Sequence, residues 1–239
     1  MINRFSTFAL LSIVFLLLPI TTRATDIIIE TPLGNIPVEL FDDITPETVT
    51  NFLNYVNDGD FDSSFIHRSV PDFVIQGGGF VFDPNSSATI PAAAIPTDRP
   101  VVNEFNRSNI RGTIAMAKLG GDPNSATSQW FINLVNNASN LDTLNGGFTV
   151  FGRVTGNGMA IADAIAAVEI FTDNASFREI PLINFTPGLD QSVLESHLVI
   201  TNIDLDSDSD ETGDGSDNCP TISNSDQANN DGDTAGDLC

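Results

Sequence analysis

Phe65-Ile66-His67-Arg68-Ser69-Val70-Pro71-Asp72-Phe73-Val74-Ile75-Gln76-Gly77-Gly78-Gly79-Phe80 sets two short apolar runs on either side of a Pro-Asp turn and ends in three glycines. Strand alternation puts Ile66 and Arg68 on one face of the first run, Phe65 and His67 on the other. In the second run Phe73 and Ile75 share a face, as do Val74 and Gln76. Period alone does not bring Arg68 and Gln76 together with Phe73. A twist or bulge is needed, and Gly77 to Gly79 could supply it. The product is a cation and an amide beside an apolar surface, the make-up of a small binding pocket. Composition by itself favours a plainer outcome, a core hairpin with one surface arginine.

A second stretch shifts the balance. Gly112-Thr113-Ile114-Ala115-Met116-Ala117-Lys118 is followed by Asp122-Pro123-Asn124-Ser125-Ala126-Thr127-Ser128-Gln129-Trp130-Phe131-Ile132-Asn133. Together the two stretches resemble the cyclophilin family of peptidyl-prolyl cis-trans isomerases, its bacterial branch in particular, over about Asp26 to Leu205. The resemblance implies a mainly β fold: a closed eight-stranded antiparallel barrel capped by two helices. It also implies an isomerase that acts on proline-containing polypeptides and needs no cofactor for catalysis.

The chain in order fits such a fold. Arg4, an apolar run from Phe8 to Leu18 and Thr22-Arg23-Ala24 read as a signal peptide over residues 1–24. A secreted protein, periplasmic or extracellular, is expected, with no membrane span once the signal is cut. Ile27 to Ile29 and Ile36 to Phe41 read as strands. Thr45 and Pro46 start a helix whose Val49, Phe52, Leu53 and Val56 form one apolar stripe, and Gly59 ends it. Ile110 to Lys118, Gln129 to Val135 and Gly147 to Val154 read as further strands. A second helix is expected over 157–168, with Met159, Ala162, Ile165 and Ala166 inward. Residues 85–100 and 169–195 read as irregular, and His197 to Leu205 as the closing strand. The isomerase domain is placed at 25–203.

By resemblance, the catalytic set is Arg68, Phe73, Gln76 and Phe131. Arg68 would stabilise the twisted amide and Gln76 would orient the substrate backbone. Val74, Phe131, Leu141 and Phe148 would wall the proline pocket, and Ala117, Lys118 and Gln129 would line the peptide groove. The sequence departs from the family pattern at Val74 for methionine, Lys118 for asparagine, Leu119 for alanine and Phe148 for histidine. Asn140 stands where many members carry the tryptophan that binds cyclosporin, so weak inhibition by that drug is expected. His67 and His197 lack ligand-type neighbours at metal spacing, and His67 reads as structural.

The remaining residues, 204–239, hold 11 acidic and no basic side chains; residues 25–203 hold 21 acidic and 7 basic, and the whole chain carries −23. Such a surface repels nucleic acid and anionic membranes. Asp206-x-Asp208-x-Asp210-Glu211-x-Gly213-Asp214, and later Asp226, Asn229, Asp231, Asp233 and Asp237, are similar to the thrombospondin type 3 calcium repeat. That likeness implies Ca2+ held by the tail and a bond between Cys219 and Cys239. Alternating carboxylates around glycine turns suit Ca2+, which takes six to eight oxygens. A disordered acidic stalk is the competing reading. Three functions therefore stand side by side: a secreted monomeric isomerase with a calcium-binding tail, a proline-peptide binding module without turnover, and a calcium-dependent surface or adhesion protein.

Overall fold

The computed structural model describes residues 24–172, 177–187, 193–230, 232–233 and 235–239. The expected signal segment lies outside them apart from Ala24, as does Asp231. In chain order the strands are β1 (Asp26–Glu30), β2 (Ile36–Leu40), β3 (Ser64–Phe65), β4 (Arg68–Val70), β5 (Val74–Gly77), β6 (Phe80–Phe82), β7 (Ala92–Ala94) and β8 (Thr113–Met116). They continue with β9 (Trp130–Asn133), β10 (Val150–Val154), β11 (Ile170–Phe171), β12 (Ile180–Pro181) and β13 (Ile200–Leu205). The helices are α1 (Pro46–Asn57), α2 (Ala138–Leu141) and α3 (Gly158–Ala166).

Eleven strands form one sheet in the order β4-β5-β9-β8-β10-β2-β1-β13-β3-β6-β7, with β11 and β12 a separate ribbon. The sheet is a strongly curled half-barrel rather than the closed eight-stranded barrel expected. At Ile66-His67 one extended segment breaks into β3 and β4. The Ile66 N–H donates to Val199 O on one side, the His67 N–H to Gln76 O on the other, so the pairing changes neighbour within two residues.

The concave side carries the main core. Ile27, Ile29, Ile36, Val38, Leu40, Ile75, Ile114, Trp130 and Ile132 come from the strands, Phe52 and Tyr55 from α1, Ala162 and Ile165 from α3. Phe52 packs on Phe61 and Phe151 with ring centroids 5.2 and 5.0 Å apart. Each such large buried side chain contributes about 1.5–3 kcal/mol. Pro46 takes the first turn of α1 as expected, but Thr45 makes no side-chain cap. The Glu104 carboxylate, 56 residues away, accepts the Thr48 N–H and Oγ1–H instead, at 2.8 and 2.7 Å.

The sheet runs two residues past the boundary expected at 203, with Leu205 opposite Ile27 and Asp204 opposite Ile28. The tail then folds back on the sheet. Asp206 N–H donates to Asp26 O, Ser216 Oγ to Glu30 Oε1, and Asn35 Nδ2 to the Glu211 carbonyl. Cys219 and Cys239 form a disulfide.

Candidate active site

Register gathers the site with no bulge from β4 to β8; the one shift lies in β10, between Val150 and Gly152. Arg68 stands opposite Gln76, Gln76 opposite Phe131, Phe131 opposite Ala115, and Ala115 opposite Val150. Directly paired residues share a face, so these five side chains form one file across five strands. Val74, two residues from Gln76, falls on the same side, as do Ala117 beyond Ala115 and Phe148 before Val150. His67, Ile75 and Trp130 take the opposite side.

Phe73 arrives by the turn. Asp72 adopts φ +59° and the Phe73 N–H closes on Val70 O at 3.0 Å. This sets the Arg68 Cζ 5.9 Å from the Phe73 ring centroid. The glycines serve a different purpose from the one expected. A Cβ on Gly77 would come within 2.8 Å of the Trp130 ring, and one on Gly78 within 2.6 Å of Ser128 O. They let the lone tryptophan pack hard against β5.

These residues enclose a cavity of about 240 Å3. Arg68, Phe73, Gln76 and Phe131 line it, and so do Val74, Ala117, Lys118, Leu141 and Phe148. Gln129 does not line it but holds Gln76, whose Nε2 donates to Gln129 Oε1 at 2.8 Å. Asn140 and Leu144 also line it. Leu144 carries no strand or helix stripe and was invisible to periodicity. The wall is apolar and packed: Val74, Ala115, Phe131, Leu141 and Val150 form a buried cluster, with Phe131 edge-on to Phe148 at 5.8 Å.

The loop bearing Asn140 and Leu141 is fixed by buried amides. Asn137 Nδ2 donates to Phe73 O and to Asn133 Oδ1, and Asn133 Nδ2 to Thr113 Oγ1. Asn109 Nδ2 donates to Phe148 O and to Asp142. Burial pushes the Asp142 carboxyl up, but hydrogen bonds from Asn109 and Ser108 outweigh it and leave the pKa below the ordinary value. Periodicity missed this network because the amides sit at strand ends and in loops.

Two further polar side chains stand at and behind the pocket. Lys118, expected to line the groove, is tied down by its side chain. Its Nζ donates to Asn145 O at 2.9 Å and to Gly147 O, and lies 4.9 Å from the Phe148 ring centroid. Burial lowers its pKa against an opposing pull from Asp122. His67 is 8 % exposed, and burial, with the neighbouring Arg68 charge, lowers its pKa to about 4. It is neutral at pH 7 and sits behind the site.

A family model described as cyclophilin type peptidyl-prolyl cis-trans isomerase/CLD matches residues 26–186. The chain belongs to this family. The cyclophilin match extends to curated relatives. One is peptidyl-prolyl cis-trans isomerase A of Dickeya dadantii, 40% identical over 165 residues, covering 67% of this chain and 80% of the relative. Another is peptidyl-prolyl cis-trans isomerase cyp18 of Streptomyces antibioticus, 42% identical over 147 residues, 59% of this chain and 82% of the relative. Among solved structures, a cyclophilin type isomerase of Cryptosporidium parvum superposes with a TM-score of 0.55 at 23% identity, covering 76% of this chain and 97% of the other. That likeness is one of fold.

Among the tail residues read as calcium ligands, Asp206, Asp208 and Asp210 come together, their oxygens within 4.8 Å of one another. Asp206 and Asp210 accept backbone N–H groups from Asp210 and Thr212 respectively. Both oxygens of Asp208, and Oδ2 of Asp217, are covered and have no hydrogen-bond partner. Asp217 was not among the expected ligands. Burial and then the charges of Asp210, Asp217 and Asp214 raise the Asp208 pKa. Asp214, the last of the first set, accepts from Ser207. Among the described residues of the later set no such carboxylate group forms; Asp226 accepts from the Ala228 N–H and Asp237 from Asn230. Asn229 bonds Gly232 and Asp233, whose own carboxylate accepts the Ala235 N–H. No helix among the described residues is long and apolar enough to cross a membrane.

Proposed function

We propose that this cyclophilin accelerates cis–trans rotation about X-Pro bonds in polypeptides. The observation that carries the reading is the cross-strand file of Arg68, Gln76 and Phe131 at an apolar pocket of about 240 Å3. Rotation meets a barrier of about 18–20 kcal/mol from amide resonance. No bond breaks, so no nucleophile, base or cofactor is needed. The site must bind the twisted amide better than the planar one. The prolyl ring fills the pocket between Val74, Phe131, Leu141 and Phe148. The Arg68 guanidinium donates to the prolyl nitrogen as its lone pair localises, a fixed donor in a partly dry site. Gln76, its Nε2 engaged by Gln129, presents Oε1 to the peptide backbone. The apolar run at residues 8–18 supports export, and the acidic surface supports polypeptide rather than nucleic-acid partners. NMR exchange on an X-Pro peptide, with the chain from residue 25 onward as a monomer, tests the reading. Catalysed exchange is expected. Binding with exchange left at the uncatalysed rate would make it a binding module.

The tail carries a second reading. Asp206, Asp208 and Asp210 fit a calcium ion, because the Asp208 oxygens are covered and unpartnered. Calcium would supply the positive charge that this carboxylate group lacks. Asp217, whose charge acts on Asp208, carries an orphaned oxygen of its own. A calcium-dependent surface role for the tail would follow from the same site.

A further inference from the structure

We infer that Glu179 is the positioning residue of Arg68, and that the β11–β12 ribbon exists in part to deliver it. The inference rests on Arg68 being the catalytic donor. The Arg68 Nε–H donates to Glu179 Oε2 at 2.8 Å. Among the described residues this is the one hydrogen bond that the Arg68 side chain makes. Both Nη groups are left for a substrate, on the side where Arg68 lines the pocket. An arginine has four rotatable bonds between backbone and guanidinium. Tying Nε while the ring of Phe73 lies 5.9 Å from Cζ selects one of its many arrangements before substrate arrives.

The delivery is built into the backbone. β4 is an edge strand, paired on one side by β5. On its free side the Ser69 N–H donates to the Glu179 carbonyl at 2.7 Å. The next residue, Ile180, is fully buried with Phe177 and Leu182. Glu179 is therefore pinned beside Arg68 by its main chain and by its neighbours, independently of its carboxylate. The two side chains are 37 % and 41 % exposed, so their attraction is screened and adds little to stability. Its value lies in orientation. Periodicity could not find Glu179, because it sits in the stretch read as irregular.

The test uses the mature full-length chain with Glu179→Gln and Glu179→Ala. Both keep the Ser69–Glu179 backbone bond, and melting should shift by no more than a degree or two. Glu179→Ala should lower kcat about tenfold with KM little changed, Glu179→Gln about threefold. In both, the Arg68 Nε–H resonance should move upfield and exchange faster with water. In an Arg68→Ala background the Glu179 substitutions should change nothing further. If Arg68→Ala costs activity but Glu179→Ala does not, or costs as much with Arg68 already gone, the positioning role is overturned. If Arg68→Ala itself leaves activity intact, the catalytic reading fails first.

Discussion

The pocket and the tail both concentrate polar groups, and they are satisfied in opposite ways. In the pocket Arg68 is held by Glu179, Gln76 by Gln129 and Lys118 by two loop carbonyls before any ligand is present. In the tail the folded chain leaves three carboxylate oxygens of Asp208 and Asp217 covered and unmatched. One region has its polar groups matched by folding; the other leaves some of them unmatched. Pre-set donors suit catalysis, where reorganisation is a cost at every turnover. Unmatched carboxylates suit an ion, because a buried charge without a partner is costly.

The comparison breaks most visibly at Arg68. Arg68→Ala should lower kcat/KM about 100- to 1000-fold, about 2.7–4 kcal/mol of transition-state stabilisation, in the NMR exchange assay, with an unchanged melting temperature. A loss below tenfold would mean that the pocket works by shape alone.

Next comes His67, the neutral group behind the pocket. Its folded pKa of about 4 lies below the ordinary 6.5. The unfolded chain therefore takes up this proton first as pH falls. The stability tied to neutral His67 is complete above pH 6.5 and is lost down to pH 4, about 3 kcal/mol in all. In denaturant melts the stability difference between wild type and His67→Leu should change by this amount across that window. Parallel curves would show that the histidine titrates normally.

The tail gives a comparable figure from outside the chain. Calcium at a hundred times its Kd should stabilise the tail by about 2.7 kcal/mol. Calorimetry should show calcium heat, lost in Asp208→Asn, and chelation should collapse the amide dispersion of the tail while peptide turnover persists. No heat and an unchanged tail spectrum would leave an acidic appendage. The smallest effect is at Lys118. Lys118→Met frees the Asn145 and Gly147 carbonyls and should raise KM about fivefold, about 1 kcal/mol; an unchanged KM would show that Phe148 holds its place without the clamp.

What the sequence disclosed follows the same division. The α1 stripe of Val49, Phe52 and Val56 was legible because helical period is local, and so was the His-Arg motif because its spacing is fixed. The cap of α1 was not, because Glu104 arrives from another part of the chain. Four-residue α2 is too short to carry a stripe. The file from Arg68 to Val150 needed the strand register, which alternation within one strand cannot supply. Asp217 was overlooked as a possible ligand because only folding reveals which oxygens lack partners.

The packing of Trp130 has a practical side. The chain has one tryptophan, fully buried, with its indole against Gly77 and Gly78 and its strand neighbour Phe131 facing the pocket. A single indole thus sits on the far face of the strand that meets the substrate. Its light reports whether the sheet is intact and is shielded from whatever occupies the pocket, so in the unlabelled protein a change in its emission reads folding rather than binding.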